Sequence, residues 1–413
     1  MSDMHADGPA EGPHVVAEFN TNPANNSELF SDRPKNIHRP QEIAEFSYDE
    51  NHQIHLDARS LSHYYPPQPQ GAEHHLYLDK GLETFRLLDD SQDGHLTGLL
   101  TAIMHMEKKK GAKTDAHFVA YRGMITNDTI RLQLFFSIPV PSLHTGFSPL
   151  PYSFIEEDKA AKLERKAREA GKGPADERRE RLQYYYGFKF ETLYTIPDIW
   201  DNVSRDEIES RDDKVVSNYA QYCSVVKTGV GDLEMVIGGE VDCIWDAKVE
   251  GATHHNYVEL KTTEWVDVDR LRDPKKIQQK FNNYDRRKLK YWGQSYLIGC
   301  PTIIVGKKDE DAQVHMPLEV LKTHDIPATI RKTSRLWNSV TCVQTLGAFL
   351  EWLDIHIRNS TGVWKLIKKR NEYTVRLIHF EKDGTGEILT DSFKAHRLVM
   401  AQQSLLARVA SLG

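Results

Sequence analysis

The sequence predicts a single large α/β domain in which a mixed β-sheet core is flanked by helices. Strand-like apolar runs alternate with segments of helical periodicity along most of the 413 residues. After about residue 60 the chain shows neither an internal repeat nor a linker, although its length alone would also allow two domains. Hydrophobic residues make up 39% of the chain, which is enough to build a core. We therefore expect one domain over residues 41–413.

The N-terminal segment differs from the rest. Residues 1–40 are rich in Pro, Asn, Asp, Ser and His and show no periodicity, so they predict a disordered arm. Residues 60–69, SLSHYYPPQP, combine aromatic residues with prolines and predict an ordered, extended stretch laid on the domain.

The first half of the domain predicts a helix, two strands and an insertion. Leucines and Phe85 recur at helical spacing over residues 79–110, and strand-like runs follow at residues 117–125 and 129–138. Residues 156–183 are nearly all charged and predict a helical insertion on the surface, broken at residues 171–174. Its basic face leaves contact with RNA open as an alternative.

The second half carries the more regular pattern. Strand-like runs occupy residues 221–230, 234–246, 256–266, 302–308, 372–380 and 386–391. Helical patterns occupy residues 275–299 and 345–357.

Net charge, the length of apolar runs and the spacing of the cysteines limit the classes of protein to which the chain can belong. With a net charge of −7, the chain can hold nucleic acid only locally, through a metal ion and a few Arg or Lys side chains. No apolar run is long enough to span a membrane, and the first twenty residues do not resemble a signal peptide. The four cysteines are widely spaced and predict free thiols in a reducing compartment.

Two acids interrupt an apolar strand-like run in MVIGGEVDCIWD. Side chains alternate between faces along a strand, so Glu240 and Asp242 point the same way, roughly 7 Å apart. Acids among Met, Val, Ile and Cys are costly to bury unless something pairs them. A solvated strand edge is one reading, and a Mg²⁺ or Mn²⁺ site is the other. Gly238 and Gly239 just ahead favour a bulge or the close approach of a ligand.

The next strand repeats the pattern in NYVELKTT. Glu259 and Lys261 share one face, and Val258 and Leu260 the other. Taken alone, this pattern also fits a surface ion pair. If the two strands pair or lie close together, three acids and a lysine meet on one face. Such acids can hold a metal ion that acidifies a water molecule and shields phosphate, while the lysine stabilises developing negative charge.

Three further residues are candidates for the same site. Glu191 ends the aromatic run GFKFE, and Gln294 lies on the predicted helix 275–299, where its amide could position water. Arg122, in AYRGM, is a candidate phosphate clamp because its planar guanidinium suits phosphate oxygens.

Together these motifs resemble the Rai1/DXO family of RNA 5′-end processing enzymes, and most of all its fungal nuclear Rai1 branch. The likeness covers roughly residues 40–360 and rests on SLSHYYPP, AYRG, GFKFE, GEVDCIWD, YVELKT and KYWGQSYLIG. It implies a fold related to the PD-(D/E)XK nucleases. The insertion at residues 156–183 is longer than the family pattern, and the stretch between GEVD and YVELK is short.

The resemblance also implies a role for each site residue. Glu191, Asp242, Glu259 and the Leu260 carbonyl are expected to bind Mg²⁺ or Mn²⁺, with Glu240 acting on the metal through a water molecule. Catalysis is assigned to Glu240, Lys261 and Gln294. Contacts with the substrate are assigned to Arg122, Glu191, Lys261 and Gln294. Removing Asp242 or Glu259 is expected to abolish activity with little loss of fold, and could even stabilise the metal-free protein, because clustered like charges repel.

The implied activity is hydrolysis at RNA 5′ ends that carry a triphosphate, an incompletely methylated cap or an NAD cap, with 5′-to-3′ exonuclease action in some members. A nuclear exoribonuclease of the Rat1/XRN2 type is the implied partner, and the nucleus the implied location. Trp200 and its neighbours are a candidate surface for that partner. Two other functions stay open: a scaffold that mainly stabilises the partner, and a metal-dependent DNA nuclease.

Overall fold

In a computed structural model, two mixed β-sheets are covered by helices. The structure describes residues 15–22, 35–66, 76–89, 96–126, 133–138, 153–157, 173–360, 362–369, 372–381 and 384–411. Within these ranges the molecule is a mixed α/β fold.

The strands form a ten-stranded and a six-stranded sheet within the described ranges. The strands are β1 Val15–Asn20, β2 Gln41–Tyr48, β3 Ile54–His55, β4 His63–Tyr64, β5 Phe118–Tyr121, β6 Gln133–Ile138, β7 Ser153–Glu157, β8 Thr195–Ile196, β9 Gln221–Val230, β10 Leu233–Glu240, β11 Cys243–Ile244, β12 Tyr257–Glu264, β13 Thr302–Lys308, β14 Val314–Lys322, β15 Gly362–Lys368 and β16 Thr374–Glu381. The first sheet runs β1-β16-β15-β6-β7-β5-β10-β9-β2-β3, and the second β14-β13-β12-β11-β4-β8.

Helices cover both sheets. They are α1 Thr97–Lys110, α2 Arg122–Thr126, α3 Pro174–Tyr194, α4 Arg205–Glu209, α5 Val268–Leu271, α6 Pro274–Ile298, α7 Ile326–Lys332, α8 Ser339–Ile357 and α9 Asp391–Ser411. None of the described helices is both long and apolar enough to cross a membrane.

The central strands β9, β10 and β13 are buried on both faces, which is why they read as nearly continuous apolar runs. On the first sheet, Val236 packs with Leu99 of α1, whereas Ile237 packs with Ile298 of α6. On the second sheet, Leu260 of β12 packs with Phe190 of α3. The opposite face of β12 is left for Glu259 and Lys261.

The chain crosses from one sheet to the other inside the GEVDC motif. Glu240 is the last residue of β10 in the ten-stranded sheet, and Cys243 the first of β11 in the six-stranded sheet. Asp242 therefore lies in the crossing rather than in a continuous strand. β11 then pairs antiparallel with β12, with Cys243 opposite Val258. The crossing brings the acidic motif beside the Glu-x-Lys strand, as the sequence analysis required.

Several predicted elements are confirmed. The runs at residues 221–230, 256–266 and 302–308 are β9, β12 and β13, and the helical patterns at 275–299 and 345–357 fall in α6 and α8. The HYY segment is ordered, because Tyr64 and Tyr65 are buried.

The helix predicted over residues 79–110 was wrong in its first half. Over the described residues 79–89 the chain forms a 3₁₀ turn, Leu82–Thr84, and α1 begins at Thr97. Phe85 instead packs against Tyr185 of α3, with ring centroids 5.2 Å apart. The place of Phe85 in the apolar pattern therefore reflects its contact with α3. It does not mark the face of a helix that contains Phe85.

Three other boundaries differ from the predictions. The strand predicted at residues 117–125 ends at Tyr121, since the chain turns into α2 and directs Arg122 inward. Residues 386–391 form no strand. Their apolar residues Ile388 and Leu389 are instead buried in the loop before α9, beside Phe393. Part of the charged insertion is the first half of α3, the helix that carries Glu191. Residues 158–172 of the insertion lie outside the described ranges.

The expected disordered arm was also wrong for residues 15–20 and 35–40, since Ile37 in the second stretch forms an isolated bridge with Val230 of β9. Residues 15–20 form β1, an edge strand paired antiparallel with β16. Phe19 is buried, and its ring centroid lies 5.5 Å from that of Phe349 on α8. This contact anchors the strand. Residues 1–14 and 23–34 lie outside the described ranges.

Candidate metal and phosphate site

Glu259 is the most deeply buried acid of the predicted site. Its side chain is 2% exposed, and β12 holds it on the face opposite Val258 and Leu260. Burial favours the neutral form of a carboxyl group, but two cations outweigh it. Arg122 and Lys261 lower the pKa of Glu259 to about 2, so the group is ionised at neutral pH.

Arg122 comes from α2 and forms a buried ion pair. Its Nη1 donates a hydrogen bond to Glu259 Oε2 at 2.9 Å, and its side chain is 11% exposed. Arg122 therefore pairs with Glu259, which is one of the predicted metal ligands. Its predicted role as a phosphate clamp stays a prediction.

Lys261 occupies the centre of the predicted ligand set. Its Nζ lies 2.7 Å from Glu259 Oε1, 3.1 Å from the Leu260 carbonyl oxygen and 3.7 Å from Asp242 Oδ2. These three oxygens belong to the residues that we expected to bind a metal. Burial opposes the charged form of Lys261, but the carboxylates of Glu259 and Asp242 outweigh it and raise the pKa of the ammonium, which is protonated at neutral pH.

The other three acids of the site, Glu240, Asp242 and Glu191, repel one another when they are ionised. Burial first, and then the charge of Asp242, raise the pKa of Glu240 to about 7. Burial raises the pKa of Asp242 to about 6, although Lys261 and a hydrogen bond from Leu260 N at 2.6 Å oppose it. Burial, Asp242 and Glu240 raise the pKa of Glu191. The cluster thus lacks enough positive charge to be fully ionised.

The donor set fits a hard divalent cation in its chemistry. In the described ranges, no three His, Cys, Asp or Glu side chains are gathered closely enough to hold a metal as they stand. The Lys261 ammonium, however, already draws oxygens from Asp242, Glu259 and Leu260 around one positive charge. Carboxylate and carbonyl oxygens are the ligands that Mg²⁺ and Mn²⁺ prefer.

A cavity of about 430 Å³ opens beside the crossing between the sheets. Glu191, Glu240 and Asp242 line it together. Arg59 also lines it and is a candidate that the sequence analysis did not identify. Two hydrogen bonds to Asp57, at 2.9 and 2.8 Å, hold its guanidinium. Its only sequence signal is that it immediately precedes the SLSHYY motif.

Gln294, Gly238 and Gly239 are the remaining residues that the sequence pattern points to. Gln294 lies half-buried on α6, and its side chain makes no hydrogen bond within the described ranges. Gly239 does allow a close approach, but by the protein itself: a Cβ there would lie 2.8 Å from Ile298 Cγ2. A Cβ at Gly238 would lie 3.1 Å from the Tyr121 ring. Gly239 therefore lets α6 and α2 pack onto β10, and Gly238 leaves room for the ring of Tyr121 on β5.

Comparisons with known proteins show the same similarity throughout. The profile of the family described as "RAI1 like PD-(D/E)XK nuclease" matches residues 38–394. The chain is 37% identical to "Decapping nuclease RAI1" of Gibberella zeae over 394 residues, which cover 94% of this chain and 98% of that relative. It is 39% identical to the protein of the same name in Aspergillus fumigatus over 362 residues, or 86% and 93% of the two chains.

Solved structures also resemble this chain. Candida albicans Rai1 in complex with pU5 and Mn²⁺ matches with a TM-score of 0.77 and 26% identity, covering 89% of this chain and 96% of that chain. Scheffersomyces stipitis Rai1 in complex with (3′-NADP)⁺ and a calcium ion matches with a TM-score of 0.76 and 27% identity, covering 89% and 97%.

Proposed function

Because this chain belongs to the RAI1-like family of PD-(D/E)XK nucleases, we propose that it is a decapping nuclease that hydrolyses RNA 5′ ends with Mg²⁺ or Mn²⁺. Relatives that are named decapping nucleases match almost the whole chain, and a similar Rai1 binds pU5 with Mn²⁺. The predicted acids lie together in this chain.

One observation carries the proposal. The Lys261 ammonium lies within 3.7 Å of oxygens from Asp242, Leu260 and Glu259. A buried group of oxygens that already surrounds a cation is suited to exchange it for a metal ion. Burial, together with neighbouring carboxylates, raises the pKa values of Glu240 and Asp242, and a bound cation would offset this cost of ionising them.

We assign the metal to Glu191, Asp242, Glu259 and the Leu260 carbonyl, with Glu240 beside it. When bound, a divalent cation acidifies a water molecule and shields the charge of a phosphate group. Arg122 keeps Glu259 ionised and oriented through its 2.9 Å hydrogen bond. Lys261 and Gln294 are assigned to positioning the substrate and the nucleophile.

The cavity of about 430 Å³ is the proposed entrance for the 5′ end. Arg59 lines this cavity and is paired with Asp57, and its planar guanidinium suits the phosphates of a triphosphate, a cap or an NAD cap if they displace that carboxylate. An S. stipitis relative that binds (3′-NADP)⁺ supports a dinucleotide at this site, since an NAD cap contains the same nicotinamide and adenosine groups.

The test is product analysis on four substrates. Purified protein is incubated with Mn²⁺ or Mg²⁺ and RNA carrying a 5′-triphosphate, a GpppN cap or an NAD cap, and with duplex DNA. We expect release of pyrophosphate, of a cap dinucleotide or of NAD from RNA, and no cleavage of DNA. Activity on the duplex alone would instead support a DNA nuclease, and activity on none of them a scaffold.

A partner of the Rat1/XRN2 type and a nuclear location are part of the proposal. Trp200 supports a docking surface because its indole is 64% exposed in the 3₁₀ turn Trp200–Asn202, and exposed tryptophan is a common anchor of interfaces. Co-purification of the partner exoribonuclease should fail with Trp200→Ala and survive with Tyr184→Ala, an equally exposed aromatic elsewhere. Imaging of the tagged protein tests its location.

A further inference from the structure

A second cavity lies at the far end of the strand that carries Glu259 and Lys261. It encloses about 240 Å³ between the end of β12 and the first half of α6, and we call it the β12–α6 pocket. Aromatic and cationic side chains line much of it: Trp265, Phe281, Tyr284, Lys280, Arg287 and Lys307. None of these residues belongs to the metal and phosphate site.

Two aromatic side chains of the pocket are exposed. Trp265 is 37% exposed and stacks on the ring of His315, with centroids 4.6 Å apart and planes 4° from parallel. This stacking fixes the plane of the indole. Phe281, on α6, is 44% exposed. Exposed, oriented aromatic rings are the usual platforms on which the bases of single-stranded RNA stack.

The pocket also carries a cation that no carboxylate neutralises. Lys280 is paired with Glu264, and Lys307 with Glu319 at 2.8 Å. Arg287 Nη1 donates to Thr263 Oγ1 at 2.9 Å and has no carboxylate partner within the described ranges. On a chain of net charge −7, such a local positive site favours an anion such as phosphate.

The same two elements connect the pocket to the metal and phosphate site. Thr263 lies on the face of β12 that carries Lys261, two residues further on and therefore roughly 7 Å away. Arg287 precedes Gln294 by two turns of α6, which corresponds to roughly 10 Å. A strand of RNA that leaves the carboxylates along β12 and α6 would reach the pocket within a few nucleotides.

We propose that the β12–α6 pocket binds a nucleotide of the substrate RNA a few positions downstream of the 5′ end that is hydrolysed. Its base stacks against Trp265 and Phe281, and its phosphate contacts Arg287. This inference rests on the proposed function, because it takes single-stranded RNA as the substrate. It adds a site that holds the body of the RNA irrespective of the chemistry at its 5′ end.

The test measures RNA binding by fluorescence anisotropy. A fluorescent ten-nucleotide 5′-monophosphate oligouridylate is titrated with the full chain in EDTA, which stops metal-dependent hydrolysis. We expect roughly tenfold weaker binding for Trp265→Ala and for Phe281→Ala, as typical of a lost stacking partner. Arg287→Ala should reduce the slope of log affinity against log salt by about one. Tyr373→Ala removes an exposed aromatic elsewhere and should bind as the wild type does.

Two controls separate the possible failures. Phe281→Ala is the second variant because Trp265→Ala also removes the stacking on His315, and thermal melting checks that both fold. Photocrosslinking of 4-thiouridine, placed at each position of the RNA in turn, should reach Trp265 or Phe281 from one downstream position. If the wild type hydrolyses RNA 5′ ends but both variants bind RNA as the wild type does, the pocket proposal is overturned alone. If the wild type neither binds nor hydrolyses RNA, the proposed function fails with it.

Discussion

The ammonium of Lys261 lies 2.7 Å from Glu259 Oε1, on one face of a single strand. The same ammonium contacts the Leu260 carbonyl and lies near Asp242, so one side chain neutralises the oxygens that we assign to a metal ion. A metal ion and the lysine must therefore compete for these oxygens. We propose that Lys261 is the cation that holds the acids together until a metal ion replaces it.

This competition predicts that Lys261→Met binds Mn²⁺ more tightly. Removing the ammonium leaves more uncompensated negative charge for the metal, and we expect about a tenfold lower Kd, or about 1.4 kcal/mol. Turnover should fall, because Lys261 is also assigned to the nucleophile. Isothermal titration calorimetry checks the affinity, with Lys290→Met on the exposed side of α6 as the matched control. Unchanged or weaker binding of Mn²⁺ would contradict the role of Lys261 as a competing cation.

Asp242→Asn should stabilise the metal-free protein at neutral pH. The pKa of Asp242 is about 6 in the folded chain against an ordinary value of 3.8. Between these values the folded state binds more protons than the unfolded state, so the stability of the wild type falls as pH rises. The asparagine variant escapes this penalty, which is on the order of 3 kcal/mol once complete above about pH 6.

Denaturant titrations in EDTA from pH 4 to pH 7 measure this difference. The gap in the free energy of unfolding between Asp242→Asn and the wild type should grow across that range. Saturating Mn²⁺ should reverse it, since the metal binds only the wild type well. A gap independent of pH would show that Asp242 is not held at a raised pKa.

Glu259→Gln should have the opposite effect on stability. The sequence alone predicts that Glu259 behaves like Asp242, as one more acid in a repulsive cluster. The structure changes that expectation, because Glu259 pairs with two cations and its pKa is lowered to about 2. Its removal leaves Arg122 buried without its partner, which costs roughly 3–5 kcal/mol.

Chemical denaturation at pH 7 tests this prediction. Glu234→Gln is the control, since it removes an ion pair with Lys227 that is more than a third exposed on each side and should change stability by less than about 1 kcal/mol. If Glu259→Gln were as stable as the wild type, the buried ion pair would not be a structural requirement.

The site was more predictable from the sequence than the boundaries of the fold. The alternation in YVELK gave the correct faces of β12, because the period of a strand is a local property. The pairing of Arg122 with Glu259 could not be predicted, since it joins residues 137 positions apart. Likewise, the spacing of Phe85 looks helical in the sequence but serves a contact with Tyr185. Tertiary contacts of this kind override local periodicity.

Gly239→Ala should lower both stability and activity. The added methyl group would lie 2.8 Å from Ile298 and 3.4 Å from Arg122, and it can be relieved only by moving α6 or α2. Such overpacking costs roughly 1–3 kcal/mol and would shift Arg122 away from Glu259. Thermal melting and an activity assay measure the two effects. Gly187→Ala is the control, because a Cβ there meets nothing within 4 Å and alanine favours the helix α3.

The central claim is that these carboxylates hold the metal ion that supports hydrolysis at RNA 5′ ends. The most direct measurement is single-turnover cleavage of GpppN-capped RNA, labelled in the cap, by the wild type and by Asp242→Asn. We predict that the wild type releases the cap dinucleotide with Mn²⁺ and not with EDTA, whereas the folded variant releases none under either condition. Full turnover by Asp242→Asn at saturating Mn²⁺, or by the wild type in EDTA, would contradict the assignment of the site.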